Sequence, residues 1–94
     1  MKVNFEWDEE KAKANLKKHK VTFDEAATVF LDPFSITILD PDHSVEEQRH
    51  VDIGSSDKGH ILVVVYTERG SNTRIISTRK ATSSERKLYE ERRD

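Results

Sequence analysis

Seven consecutive residues, His43-Ser44-Val45-Glu46-Glu47-Gln48-Arg49, carry an imidazole, two carboxylates and a guanidinium. Glu47 and Arg49 stand two apart on one side of an incipient strand, which makes an ion pair their default. Such a pair is compatible with a site in which the carboxylate takes a proton while the guanidinium holds a phosphate. A second group, Lys17-Lys18-His19-Lys20, closes a helical pattern. Its lysines offset the negative end of the helix dipole. His19 falls on the apolar face with Asn15 and Leu16, so it is either a core histidine or an imidazole at a cleft edge, able to exchange a proton near neutral pH. Arg49 shares parity with Val51 and Ile53, and Arg79 with Ile75 and Ser77, which puts two guanidinium groups on apolar sheet faces. Each either snorkels from a strand end or, with Arg69 and Arg74 at the hairpin between them, helps to cradle phosphate.

The chain has no P-loop, no Gly-x-Gly-x-x-Gly, no nucleophile elbow and no His-Glu-x-x-His. Asp40, Asp42, His43, Glu46 and Glu47 are rich enough in oxygen to suit a hard cation, but their spacing fits no metal loop, so neither a metal nor another cofactor is expected. Arg, Lys, His and Glu alone suffice for one reaction, cleavage of RNA by its own 2′-hydroxyl. That reaction needs a base for the 2′-OH, an acid for the departing 5′-oxygen, and cations for the charge that gathers on phosphorus. DNA lacks the hydroxyl and is left uncut.

Positioning these groups falls to a chain of 94 residues, which can build one small core and no second domain. There is no cysteine, hence no disulfide framework and no thiolate metal site, and Met1-Lys2-Val3-Asn4 starts no apolar signal segment. A cytoplasmic protein without membrane contact is expected. The net charge of −2 hides a segregation: residues 1–20 carry +2, residues 21–68 carry −8 and residues 69–94 carry +4. If the basic ends meet in space they form a local patch for phosphate.

The hydrophobic period changes along the chain. Val3 to Trp7 alternates as a strand. Asp8 caps a helix that runs to the Lys-His-Lys end, and the Thr22–Glu25 capping box opens a shorter helix that Leu31-Asp32-Pro33 stops. Phe34, Ile36 and Ile38 then alternate, as do Arg49, Val51 and Ile53, with Gly54 to Gly59 as the turn that follows. Ile61 to Tyr66 is apolar on both parities, which predicts the central strand. Thr73 to Arg79 is the next strand, and the capping box Thr82-Ser83-Ser84-Glu85 opens a last helix with a narrow Leu88–Tyr89 stripe. The expected fold is α+β: one domain over residues 1–94, a small antiparallel sheet packed with two N-terminal helices and one C-terminal helix.

Read together, several segments resemble the BrnT toxin family. They are Phe5-Glu-Trp7-Asp8 with Lys11, Asn15 and Lys18-His19; Val21-Thr-Phe23-Asp-Glu25-Ala26; Val29-Phe30-x-Asp32-Pro33; His43 with Glu47-x-Arg49; and Arg74-Ile-Ile76-Ser77-x-Arg79-x-Ala81 with Glu85-Arg86 and Tyr89. Each motif alone is weak, but together they span essentially the whole chain in order. The resemblance implies a RelE-like ribonuclease fold and the toxin role in a type II toxin–antitoxin pair. The implied partner is BrnA, a small ribbon-helix-helix antitoxin that binds DNA, so a hetero-oligomer with a BrnA-like protein is expected and DNA is met only through it. Carried over by position, the resemblance favours Lys18, His19, Glu47, Arg49 and Arg79 as the site. The resemblance assigns no roles; the expectation from side-chain chemistry is that Glu47 or His19 acts as base, Lys18, Arg49 and Arg79 neutralise the phosphate, and Arg69 with Arg74 helps to hold RNA, while the acid stays open. Lys20 stands where Gly is common, and Thr78 where Ala is common. Two functions follow: a metal-independent endoribonuclease that stalls translation and growth, or a non-catalytic antitoxin-binding protein that tunes repression of its operon.

Overall fold

The computed structural model describes residues 4–39 and 48–93. Asp40 to Glu47, and with them His43, Glu46 and the candidate base Glu47, lie outside the described residues. The elements in chain order are β1 (Asn4–Glu6), α1 (Glu9–His19), α2 (Phe23–Thr28) continued by a 3-10 turn (Val29–Leu31), β2 (Ile36–Leu39), β3 (Arg49–Ser55), β4 (Ile61–Arg69), β5 (Asn72–Lys80) and α3 (Ser83–Arg93).

Side chains fix the starts of the three helices. The Asp8 carboxylate accepts from the N–H groups of Glu10 (2.8 Å) and Lys11 (3.2 Å), and these bonds hold its pKa below the usual value. α1 stops at Lys20, whose φ of 62° is left-handed, the conformation that glycine adopts without strain. Thr22 accepts from Glu25 N–H as the capping box predicts. The Glu25 carboxylate does not return to Thr22 but crosses to Ser56 (2.6 Å) and His60 (2.8 Å), where it ties α2 to the β3–β4 turn. Burial alone drives the pKa of this carboxyl up, but the bonds from Ser56 and His60 outweigh it and the net shift is downward. Both halves of the Thr82–Glu85 box form.

The sheet has five strands in the order β1-β5-β4-β3-β2. β2 to β5 are antiparallel neighbours, and β1 adds a parallel edge beside β5, so the sheet is mixed. β4 lies in the middle, as its apolar residues on both parities require. Leu62, Val64 and Tyr66 face α1 and α2, where they join Val21, Phe23, Ala26, Val29 and Ile75 in the larger core. Val63 faces the other side, where α3 sets Tyr89 against it and Ile53. The Tyr89 hydroxyl donates to Asp32, whose carboxylate also accepts from Ser55 N–H at 2.8 Å, so α3 is pinned across the end of the sheet. Gly54, expected in the turn after β3, lies inside that strand. A Cβ there meets Val29 Cγ1 at 2.9 Å and Ser35 Cβ at 3.0 Å, because the 3-10 turn presses on the strand backbone.

Candidate active site

α3 covers only part of its face of the sheet. Beside it a cleft of about 510 Å³ remains, floored by apolar side chains such as Ile38, Val51 and Val65 and rimmed by His19, Ser77, Arg79 and Glu85. A bulge decides what β5 presents here. Val65 pairs with Ser77 but Tyr66 pairs with Ile75, so Ile76 is an extra residue. Simple alternation puts Ile75 on the face of Ser77 and Arg79. With the bulge, Ile75 turns into the core under α1 and α2, while Ser77 and Arg79 line the cleft.

Arg79 is gripped from one side. Its Nη1 and Nη2 donate to Glu85 Oε1 (2.7 Å) and Oε2 (2.9 Å), and Nη1 also donates to the carbonyl of Lys80 (3.3 Å). The guanidinium beside Glu85 pulls that carboxyl down to about 2, so it is ionised throughout the neutral range. A guanidinium carries five N–H groups on two forked edges. Among the described residues, no acceptor takes the second edge of Arg79, made by Nε–H and the remaining Nη2–H. One edge is fixed by the protein and the other is presented.

His19 is the last residue of α1, and the half-buried ring lines the cleft with Arg79. The end of α1 and the end of β5 therefore meet at the cleft through His19 and Arg79, and of the three cations expected to gather there, Lys18, Arg49 and Arg79, the described lining holds Arg79. The other described candidates are not in the cleft lining. Lys18 is exposed on the same helix end and is not part of the cleft lining. Arg49 is half-buried, and strand alternation puts it on the face of Val51 and Ile53, but it is level with Thr67, whereas Arg79 is level with Val63 and Ile53. Four positions along β3 and two strands across separate the Cα atoms of Arg49 and Arg79 by about 16 Å. Arg69, the last residue of β4, pairs with Asn72 at the start of β5, and Arg74 near that start donates to Glu6 at 2.8 Å, so both lie away from Arg79. The pKa of Glu6 is lowered by the hydrogen bonds from Asn72 and Arg74.

The sequence model of the family described as "Ribonuclease toxin, BrnT, of type II toxin-antitoxin system" matches residues 7–85. The chain belongs to the BrnT family.

Among solved structures, the crystal structure of the Brucella abortus ribonuclease toxin BrnT is similar to it, with a TM-score of 0.66, 26% identity, and coverage of 87% of this chain and 100% of that one. No curated protein matches. Membership of the BrnT family carries ribonuclease activity and a cognate antitoxin. Among the described residues, no helix is long and apolar enough to cross a membrane. The matched region takes in both His19 and Arg79, together with Glu85, the cleft residue that reading by type and spacing passes over. Its signal in the sequence is the capping box. A glutamate three residues after Thr82 must lie in the first turn of α3, and only the docking of that turn beside the end of β5 brings it to Arg79.

Proposed function

We propose that this BrnT-family toxin is a metal-independent endoribonuclease and that the cleft between the end of α1, β5 and the first turn of α3 is its active site. The observation that carries the reading is the presented edge of Arg79, a two-pronged donor of the kind that phosphate oxygens accept, beside an imidazole in an apolar cleft. The RNA 2′-oxygen attacks the adjacent phosphorus after His19 or Glu47 takes its proton. The bond to the 5′-oxygen breaks, and that oxygen leaves with a proton from the group acting as acid. The products are a 2′,3′-cyclic phosphate and a 5′-hydroxyl. Arg79 holds the charge on the scissile phosphate, while Arg49 and Lys18, further out, meet neighbouring phosphates of the same strand. Arg69 and Arg74 belong to the outer path of the RNA. In the cell the reaction takes place in the cytoplasm, cuts RNA needed for translation, and is silenced by a BrnA-like ribbon-helix-helix antitoxin that covers the cleft.

The test is cleavage of a defined RNA by the purified toxin in EDTA, with Arg79→Ala and Glu47→Ala beside the wild type. A substrate with a single 2′-deoxy nucleotide at the scissile position must resist cleavage, and the upstream product must end in a cyclic phosphate. Activity abolished by EDTA overturns metal independence, and full activity in both variants removes this site.

A further inference from the structure

β5 has neighbours on both sides only as far as Arg74, because β1 ends at Glu6. Beyond that point its outer edge presents backbone N–H and C=O groups that, among the described residues, no strand pairs. At Thr78 water does not reach them, since this residue is 1% exposed, and unpaired buried backbone groups are strongly unfavourable. Asn15 supplies what a missing strand does. Its Nδ2 donates to the Thr78 carbonyl (2.9 Å) and its Oδ1 accepts from Thr78 N–H (3.0 Å). The other Nδ2 hydrogen goes to the Val21 carbonyl (3.1 Å), where the chain leaves α1 for α2. The amide is itself buried at 7% exposure, and both its donors are used. The two residues it stands between matter most: Thr78 immediately precedes Arg79, and His19 is one helical turn beyond Asn15 on α1.

We propose that Asn15 is a positioning residue of the active site, a one-residue substitute strand that sets the register of β5 against α1 and so fixes Arg79 relative to His19. This rests on the assignment of Arg79 and His19 to the site. Few other side chains fit. Aspartate keeps the bond from Thr78 N–H but faces two carbonyls without a donor, and leucine or alanine leaves both Thr78 groups unpaired. An aspartate buried against two carbonyls has a raised pKa, and its protonated form matches asparagine in shape and regains one donor.

The experiment measures kcat and KM on a defined RNA for wild type, Asn15→Ala, Asn15→Asp and Arg79→Ala, at low temperature and per folded molecule from urea titrations of the same samples. Asn15→Ala is expected to lose 10- to 100-fold in kcat with KM within about threefold of wild type. For Asn15→Asp, the ratio of its kcat to that of the wild type is expected to climb as pH falls from 8 to 5. A structural clamp without a positioning role lowers the folded fraction but leaves kcat per folded molecule unchanged. Near-wild-type kcat in both Asn15 variants, with Arg79→Ala inactive, overturns the proposal and leaves the site standing. Full activity in Arg79→Ala overturns the site itself. If Asn15→Ala does not fold, the aspartate variant decides alone: a kcat ratio that stays flat with pH overturns the proposal.

Discussion

Glu85 holds Arg79 by one edge and caps α3 with the same carboxylate: Oε1 accepts both from Arg79 Nη1 at 2.7 Å and from Thr82 N–H at 2.8 Å. A single side chain therefore couples the start of α3 to the orientation of the Arg79 guanidinium in the cleft lining. The coupling explains how a side chain at the end of β5 keeps a fixed pose although it is partly exposed. A lone arginine there loses rotamer freedom with nothing to offset it. A guanidinium already held on one edge loses less when phosphate takes the other.

Arg79→Lys retains the charge and removes the fork. The ammonium cannot hold Glu85 with two parallel bonds and present two more donors to a phosphate, so the transition state loses more than the bound substrate does. The expected result is a fall of about 100-fold in kcat with a change in KM of about threefold or less, and a larger loss for Arg79→Ala. Steady-state cleavage of a short RNA checks this. A lysine variant with wild-type kcat means that Arg79 contributes charge alone.

Glu85→Gln keeps the capping geometry and removes the ion pair. The folded pKa of Glu85 is about 2 and its ordinary value is 4.5. A depressed carboxyl stabilises the fold above the unfolded value, and that contribution fades as pH falls from about 4.5 toward 2. With side-chain exposures of 40% for Arg79 and 27% for Glu85, solvent screening limits the pair to about 1 kcal/mol. Urea titrations are expected to show wild type more stable than Glu85→Gln by about that amount at pH 7, with the two converging near pH 2. The variant also removes a negative charge beside the phosphate, so its KM for RNA is expected to fall. An unchanged stability gap at pH 2 shows that the pair does not carry the difference.

The parts of this arrangement that were legible from sequence are those set by local chemistry. Ile61 to Tyr66, apolar on both parities, identifies the central strand, and Asp8, Thr22 and Thr82 mark three helix starts. His19 was legible as an imidazole on an apolar helix face next to a basic end. The family resemblance, carried by motifs across the whole chain, is borne out by the match over residues 7–85. What stayed hidden depends on contacts between distant segments. Counting back from Arg79 by twos puts Ile75 on its face, because the sequence carries no mark of the bulge at Ile76. The parallel pairing of β1 with β5, the crossing of Glu25 to Ser56 and His60, and the hold of Glu85 on Arg79 all require the tertiary fold. Parity relates Arg49 to Val51 and Ile53, and Arg79 to Ser77, within their own strands, but the separation of the two arginines follows from the strand register, which no local pattern gives.

Lys20→Gly tests the end of α1. With φ at 62° and ψ at 28°, the lysine bears a backbone cost of about 1 kcal/mol that glycine avoids, partly offset by the extra freedom of glycine in the unfolded chain. The expected gain is about 0.5 kcal/mol, or a rise in Tm of a few degrees for a domain of this size. Thermal unfolding followed by circular dichroism checks it. A loss of stability means that the Lys20 side chain makes a contribution larger than its backbone strain.

Gly54→Ala tests whether the 3-10 turn and α3 are held through one close contact. The added methyl meets Val29 Cγ1 at 2.9 Å, Ser35 Cβ at 3.0 Å and the Asp32 carboxylate at 3.3 Å. Val29 belongs to the 3-10 turn and cannot withdraw without opening the larger core, and the Asp32 carboxylate is the group that receives the Tyr89 hydroxyl. Overpacking of this kind costs about 1–3 kcal/mol. The loss is expected to appear first as weaker docking of α3, because Tyr89 is the one fully buried side chain of that helix among the described residues. Hydrogen exchange along α3 is therefore expected to quicken more than exchange in β4, and kcat to fall as Glu85 loses its fixed place beside Arg79. A variant with wild-type exchange in α3 and wild-type cleavage means that β3 and the turn relax around the methyl, and that the anchor of α3 does not depend on Gly54.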